Sequence, residues 1–157
     1  MTSETNSTWL PVFGDQDWNY QSLLLLPTEA EAAANPGAAI TAKKWAKGTL
    51  KLTDNPNDGT ATGVLSLVPG VKLQVSVQST PASLKNPALF RATGTGVTPI
   101  AGCIYELIGW AFPGADGTVE SVRGAIQAVR GTDKDSANEP GGQPIRTVGS
   151  FVLAKAS

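Results

Sequence analysis

Hydrophobic and polar residues alternate along most of the chain from residue 43 onward, with the period of two that is typical of half-buried β-strands. The clearest segment is Val71–Gln78, in which valine or leucine at every odd position faces one way and lysine, glutamine or serine faces the other. Thr60–Leu67 alternates in the same way, and the three residues between the two segments suit a short hairpin loop. Pairing across this loop places Leu65 opposite Leu73, so the apolar faces of the predicted hairpin agree.

The same criterion predicts six further strands: Asp17–Leu26, Gly48–Asp54, Ala88–Gly94, Gly102–Phe112, Thr118–Arg130 and Ile145–Lys155. The turn-forming residues of Pro113–Gly117 join two of them, and a long polar loop over Gly131–Pro144 precedes the last. One segment is helical in character. Thr28 and Glu31 form a capping-box pattern, which predicts a short helix near residues 29–35.

Seven or eight strands with mostly short connections indicate an all-β domain. No repeat of 20–50 residues and no alternation of strands with helices is present, which argues against solenoid, propeller and α/β folds. We therefore predict that residues 1–157 form one up-and-down antiparallel β-barrel, with a β-sandwich as the alternative. In architecture alone this resembles small ligand-binding barrels of the calycin type, whose signature motifs the chain lacks.

Composition excludes several classes of function. The chain has no histidine, so catalytic sites that need Ser-His-Asp or Cys-His groups and imidazole metal ligands are excluded. Cys103 is the single cysteine, which rules out an intrachain disulfide, and its apolar surroundings predict a buried thiol. We expect no cofactor and no metal. The spacing of oxygen-bearing side chains in Asp133–Glu139 is only faintly similar to a calcium loop, and a flexible polar loop is the simpler prediction.

Charge and hydropathy limit the expected partners and location. The formal net charge is −1, which predicts no electrostatic attraction to nucleic acid or to an anionic membrane. The lysines of Lys43–Lys47 are interpreted as a solvated strand face that includes Trp45. The N-terminus lacks the pattern of a signal peptide, and the longest aliphatic run, Leu23–Leu26, is too short to span a membrane. A cytoplasmic protein is the expectation.

The segment Cys103–Phe112 is apolar on both faces but carries Glu106 in the middle of one apolar row. A carboxylate there must pair with an arginine, stay protonated or point into a wet pocket. If the segment that carries Glu106 pairs with Thr118–Arg130, one register puts Glu106 opposite Gly124 and leaves Arg123 on the other face of the sheet. A register shifted by one residue brings Glu106 and Arg123 to the same side, and the sequence leaves both open.

These observations lead to ranked hypotheses of function. The first is a binding protein that encloses a small, mainly apolar molecule in the barrel cavity, with polar contacts from Arg91, Tyr105, Glu106, Trp110, Arg123 and Gln127. The second is a cofactor-free isomerase or cyclase that uses Glu106 as acid or base in the same cavity. A third is a carbohydrate-binding oligomer that uses loops such as Asp15–Tyr20 and Asp133–Glu139.

Two simpler interpretations accompany these hypotheses. Glu106 and an arginine can form a structural ion pair without a ligand, and the four tryptophans (Trp9, Trp18, Trp45 and Trp110) are more often core or plug residues than ligand platforms. Because Cys103–Phe112 is apolar on both faces, we also expect a homodimer or higher homo-oligomer that covers its outer side.

Overall fold

The computed structural model describes residues 8–14, 16–55, 58–68, 70–83, 86–97, 100–130 and 146–156. Over these ranges the chain forms one helix and ten strands: α1 (Glu29–Ala34), β1 (Thr8–Trp9), β2 (Asp17–Leu26), β3 (Thr41–Asp54), β4 (Thr60–Leu67), β5 (Val71–Thr80), β6 (Ala82–Ser83), β7 (Ala88–Gly96), β8 (Ile104–Pro113), β9 (Val119–Arg130) and β10 (Val148–Lys155). The loop predicted over Gly131–Pro144 lies outside the described residues.

Eight of these strands form a closed antiparallel barrel in the order β10-β2-β3-β4-β5-β7-β8-β9. The strands of the barrel are consecutive along the chain, except that β6 is left out and that β10 closes against β2. β6 pairs with β1 outside the barrel. The last strand closes the barrel against the first, with Phe151 opposite Ser22 and Leu153 opposite Tyr20. The predicted up-and-down barrel is confirmed, and the alternative sandwich is wrong. We call the end where β2 begins the lower end and the end where β2 finishes the upper end.

Side-chain alternation explains why these segments form a barrel with a packed interior. Along Val71–Thr80 buried and exposed residues alternate without exception, and Leu65 lies opposite Leu73 as the pattern predicts. The predicted helix is confirmed as α1. The Thr28 hydroxyl accepts from the Glu31 backbone N–H, and the Glu31 carboxylate accepts from the Thr28 N–H. No helix within the described ranges is long and apolar enough to cross a membrane.

The lower end of the barrel is filled by an aromatic cluster. Phe13, which precedes β2, makes edge-to-face contacts with Trp18 (5.9 Å between ring centroids) and with Phe90 (6.0 Å), and Phe90 contacts Phe151. All four rings are at most 2% exposed. The Asp54 carboxylate fixes the segment that carries Phe13, because it accepts from the backbone N–H of Phe13 at 3.0 Å and of Gly14 at 2.8 Å. The N-terminal segment therefore closes this end.

Glycines allow neighbouring strands to approach closely at several points of the wall. A Cβ atom on Gly63 would overlap the carbonyl oxygen of Lys51 on β3. Gly109 and Gly124 lie opposite each other on β8 and β9, and a Cβ on either would overlap the opposing backbone. At these positions only glycine allows the two neighbouring strands to approach so closely.

Two predictions about the upper end need correction. The strand predicted to begin at Gly48 begins at Thr41, seven residues earlier. Trp45 is not on a solvated face. The pairing of β2 with β3 shifts register at Ser22/Leu23, where Trp45 is the extra residue on β3. Its half-buried ring packs over Gly149, where an added Cβ would stand 2.7 Å from the ring, and makes an edge-to-face contact with Tyr105 at 6.2 Å.

Tyr20 supplies a buried titratable group whose effect on stability can be measured. Its ring stacks on Phe151 at 6.3 Å, and burial raises the pKa of Tyr20 to about 12, although a hydrogen bond with Ser22 opposes the rise. An unfolded tyrosine ionises near pH 10. Because the folded state favours the neutral phenol, Tyr20 contributes about 2–3 kcal/mol to the free energy of unfolding below pH 10. This contribution is lost as the pH rises from 10 to about 12.

We therefore expect Tyr20→Phe to flatten the alkaline loss of stability. Urea unfolding of both proteins at pH values between 8 and 12 measures this. Lysine titration affects both proteins alike and cancels in the difference. Parallel stability curves for the two proteins across this range would contradict the role of Tyr20.

Candidate functional site

Of the six residues predicted to contact a ligand in the barrel cavity, one points inward. Tyr105 is 4% exposed and belongs to the inner row of β8 with Leu107. The remaining five face outward from the wall, and for them the predicted location inside the cavity is wrong: Arg91, Glu106, Trp110, Arg123 and Gln127. The inner row continues with Gly109 and Ala111, so the row of β8 with more bulky apolar residues faces outward.

The register between β8 and β9 brings four of the predicted residues together on this outer face. Trp110 lies opposite Arg123, and Glu106 lies opposite Gln127. Glu106 and Arg123 are therefore on the same side, but neither register left open by the sequence is correct, because Glu106 lies opposite Gln127, three residues beyond Gly124. The Gln127 side-chain amide donates to the Glu106 carboxylate at 3.4 Å, so the partner of Glu106 is an amide. The structural ion pair with Arg123 does not form.

A groove of about 640 Å³ lies on the outer wall of the barrel. It crosses β4, β5, β7 and β8, and Asn55 borders it at the lower end. Two parallel rows of outward-facing side chains form most of its surface. The described residues that line it are Asn55, Thr60, Ala61, Thr62, Ser76, Val77, Gln78, Arg91, Ala92, Thr93, Glu106, Leu107 and Ile108. We call this surface the outer groove.

Strand pairing fixes the positions of the side chains in the two rows. In the first row, successive strands place these four residues side by side: Thr62, Ser76, Thr93 and Glu106. The second row contains Thr60, Gln78, Arg91 and Ile108. Neighbouring strands lie roughly 4.8 Å apart, so hydroxyl, amide and charged groups are presented at a regular spacing. The outer groove is a preformed surface on which polar groups stand beside apolar ones.

The turn before β4 holds Thr60 in one orientation. The Asn55 side-chain amide donates to the Thr60 hydroxyl at 2.7 Å, and that hydroxyl donates to the Asp58 carboxylate at 2.7 Å. The Thr60 backbone N–H also donates to Asp58 at 2.9 Å. These hydrogen bonds from Thr60 hold the pKa of Asp58 below its usual value, although the carboxylate is exposed. The lower edge of the outer groove is thus ordered without a ligand.

An exposed apolar strip borders the outer groove along β8. Ile108 lies in the groove and is 44% exposed, and Trp110 follows it on the same face with 51% exposure. Leu89 lies opposite Trp110 on the β7 side and Arg123 on the β9 side. The indole face is therefore available to a ligand that extends beyond the groove.

The other predicted sites are not assembled in the described residues. Within the described ranges, no three acidic or cysteine side chains lie close enough to hold a metal ion. The faint calcium pattern, Asp133–Glu139, lies outside the described residues. Of the loop Asp15–Tyr20, proposed for carbohydrate, residues 17–20 belong to β2, where Trp18 and Tyr20 point into the barrel.

Sequence reasoning missed the hydroxyl and amide residues of the outer groove. Thr62, Ser76 and Thr93 are each the polar half of an alternating strand, and nothing in their own segments distinguishes them from solvated positions. Only the register of four strands shows that they align. Comparisons of the chain with protein-family models, with curated proteins and with solved structures find no match.

Proposed function

We propose that the protein is a non-enzymatic binding protein whose ligand, an uncharged polyhydroxylated molecule such as a carbohydrate, lies in the outer groove. The observation that carries this proposal is the lining of the groove, in which hydroxyl and amide side chains occupy most of the outward positions. Among the described lining residues, Arg91 and Glu106 offset each other in formal charge. The groove therefore offers hydrogen bonds without selecting for an ion.

The chemistry of the lining matches that of a sugar. Serine and threonine hydroxyls both donate and accept hydrogen bonds, as sugar hydroxyls do. The β-branched threonine side chain has few rotamers about its first torsion angle, and in the groove its backbone is held in a β-strand. Thr62 and Thr93 therefore lose little conformational entropy when a ligand binds. Trp110 and Ile108 add an apolar surface on which the C–H face of a sugar ring can pack.

The two cavity-based hypotheses receive less support. An apolar ligand in the lower half of the barrel would have to displace the ring cluster of Phe13, Trp18, Phe90 and Phe151, whereas the outer groove needs no rearrangement. A reaction at Glu106 would take place in an open groove beside Gln127, and proton-transfer catalysis gains from a site that excludes water. Binding without turnover is the simpler function.

Replacement of groove hydroxyls by isosteric methyl groups tests the proposal. A glycan array identifies the ligand, and titration calorimetry then compares the wild type with Thr93→Val and Arg91→Ala. Loss of one hydrogen bond is expected to weaken binding by about 3- to 10-fold for Thr93→Val, and loss of the guanidinium by more.

Thr49→Val is the matched control, because Thr49 is an exposed threonine on the outer face of β3 that does not line the groove. It should bind like the wild type. Absence of any glycan ligand, or equal affinities for Thr93→Val and wild type, would refute the proposal. Native mass spectrometry of protein from its own source then tests the interior, where a retained apolar molecule would restore the cavity hypothesis.

A further inference from the structure

The β2–β3 hairpin projects beyond the barrel at the upper end. β4 pairs with β3 only as far as Gly48, which lies opposite Leu67, and one further bond joins the Val68 N–H to the Lys47 carbonyl. In the described part of the chain, residues 41–46 of β3 have β2 on one side and no hydrogen-bonded strand on the other. On the other side of the hairpin, β10 pairs with β2 as far as Leu24, which lies opposite Gly149. Among the described residues, the part of the hairpin beyond both neighbouring strands is therefore Leu25–Leu26 with Thr41–Ala42, which the segment containing α1 connects.

The upper end of this hairpin exposes aliphatic side chains. Leu23 and Leu25 face outward and are 40% and 41% exposed, and Ile40, immediately before β3, is 80% exposed. Single exposed aliphatic residues are common on protein surfaces, but here Leu25 and Ile40 lie at the projecting end and Leu23 lies next to it, where β2 still pairs with β10. We call residues 23–26 and 40–44 the hairpin tip.

Lysines are interleaved with these aliphatic residues. Lys44 lies opposite Leu23, Lys43 opposite Leu24 and Lys47 opposite Gln21, and all three lysines are exposed. The described acidic side chain nearby in sequence, Glu31, accepts a hydrogen bond within the capping box of α1 and offsets part of the positive charge of the lysines. The hairpin tip is therefore both apolar and cationic.

Charge is separated between the two ends of the barrel. Among the described residues, the strands carry these basic residues at or near the upper rim: Lys43, Lys44, Lys47, Lys72 and Arg130. Most of the described acidic residues are at the lower end: Asp17, Asp54, Asp58, Asp116 and Glu120, whereas Glu31 and Glu106 are nearer the upper end. Lys51 and Lys155 are also at the lower end, where each lies within 4.0 Å of an acidic side chain. The net charge of the chain conceals this separation.

We propose that the hairpin tip docks on an anionic lipid bilayer, with Leu23, Leu25 and Ile40 between the headgroups and the lysines beside lipid phosphates. Aliphatic side chains and cationic side chains on one projecting surface match the two properties of such an interface. The aliphatic residues have no counterpart on a nucleic-acid backbone. A second copy of the chain is disfavoured because a two-fold contact at the tip would bring two lysine-bearing surfaces together. Lysine on an open strand edge also opposes strand addition.

Co-sedimentation of the full chain with vesicles tests this docking. The protein is expected to bind phosphatidylcholine vesicles that contain about one-third phosphatidylserine, to bind pure phosphatidylcholine poorly, and to dissociate as salt is added. The double variant Lys43→Gln/Lys44→Gln should lower the partition coefficient by about 30-fold. Ile40→Ser should lower it as well, with no effect on folding, because Ile40 is 80% exposed.

Matched controls have the same chemical changes at the lower end. Lys51→Gln/Lys155→Gln removes the same net charge, and Val12→Ser removes an aliphatic side chain that is 43% exposed; both should bind vesicles like the wild type. Thr93→Val should also leave vesicle binding unchanged, which separates this proposal from the one on the outer groove. Equal losses in the tip and lower-end variants would overturn the proposal. So would a dimer that Ile40→Ser dissociates, in a protein that binds no vesicles.

Discussion

Gly63→Ala is expected to destabilise the protein by about 3 kcal/mol, which is at the upper end of the usual cost of overpacking. The added methyl group would overlap the Lys51 carbonyl oxygen and approach the Leu52 Cα atom. Both belong to the backbone, so no rotamer change relieves the overlap. β4 would have to separate from β3, and in a closed barrel that separation strains every other strand pair. Urea unfolding at neutral pH measures the change.

Gly94→Ala is the control for this prediction. Gly94 is also a glycine on the inner face of a barrel strand, but its nearest neighbours would lie 3.7 Å from the new Cβ, which is an ordinary contact. We expect Gly94→Ala to be neutral or slightly stabilising, since alanine restricts the unfolded chain more than glycine does. Similar stabilities for the two variants would contradict the close approach of β3 and β4.

Phe13→Ala is expected to cost about 3–5 kcal/mol, the range measured when a buried phenylalanine is truncated in a well-packed core. Phe13 lies outside the barrel strands, yet it is 1% exposed and contacts both Trp18 and Phe90. Its removal would open the lower end to water. Thermal unfolding should show a lower midpoint, and the fluorescence of Trp18 should shift toward that of a solvated indole.

The neighbouring residue supplies the control. Val12 is 43% exposed, and its structural contribution is the backbone carbonyl that accepts from the Val119 N–H at 2.9 Å. Val12→Ala keeps this hydrogen bond and should change stability by less than about 0.5 kcal/mol. If Phe13→Ala were equally mild, the N-terminal segment would be an accessory to the barrel rather than a part of its core.

The fold could be predicted from the sequence because each strand carries its own signal. Thr60–Leu67 alternates apart from Gly63 and Val64, and its boundaries match β4 residue for residue. The hairpin with β5 followed from matching apolar faces, and α1 followed from Thr28 and Glu31. The extension of β3 to Thr41 was missed because the register shift at Ser22/Leu23 interrupts the alternation around Trp45.

The location of the candidate site could not be predicted in the same way. β8 has an apolar row on each side, so its hydrophobicity does not indicate which row faces inward. The close approach of β9 requires glycine at position 109, but Tyr105 and Leu107 in the same inner row are large, so residue size alone does not indicate the direction either. The outer groove depends on the alignment of four strands, which is a property of register and not of any one segment. Net charge is likewise an average, and it could not show lysines gathered on the projecting hairpin.

Closure of the barrel by β10 against β2 governs how the chain can fold during synthesis. Among the eight barrel strands, β2 is translated first and its partner β10 is translated last. Until residues 148–155 emerge, the nascent protein is an open sheet with unpaired edges at β2 and β9. Such edges recruit other strands, so this intermediate is the state most in need of a chaperone. Termination of translation shortly before β10 would release an aggregation-prone sheet, although seven of the eight barrel strands are already made.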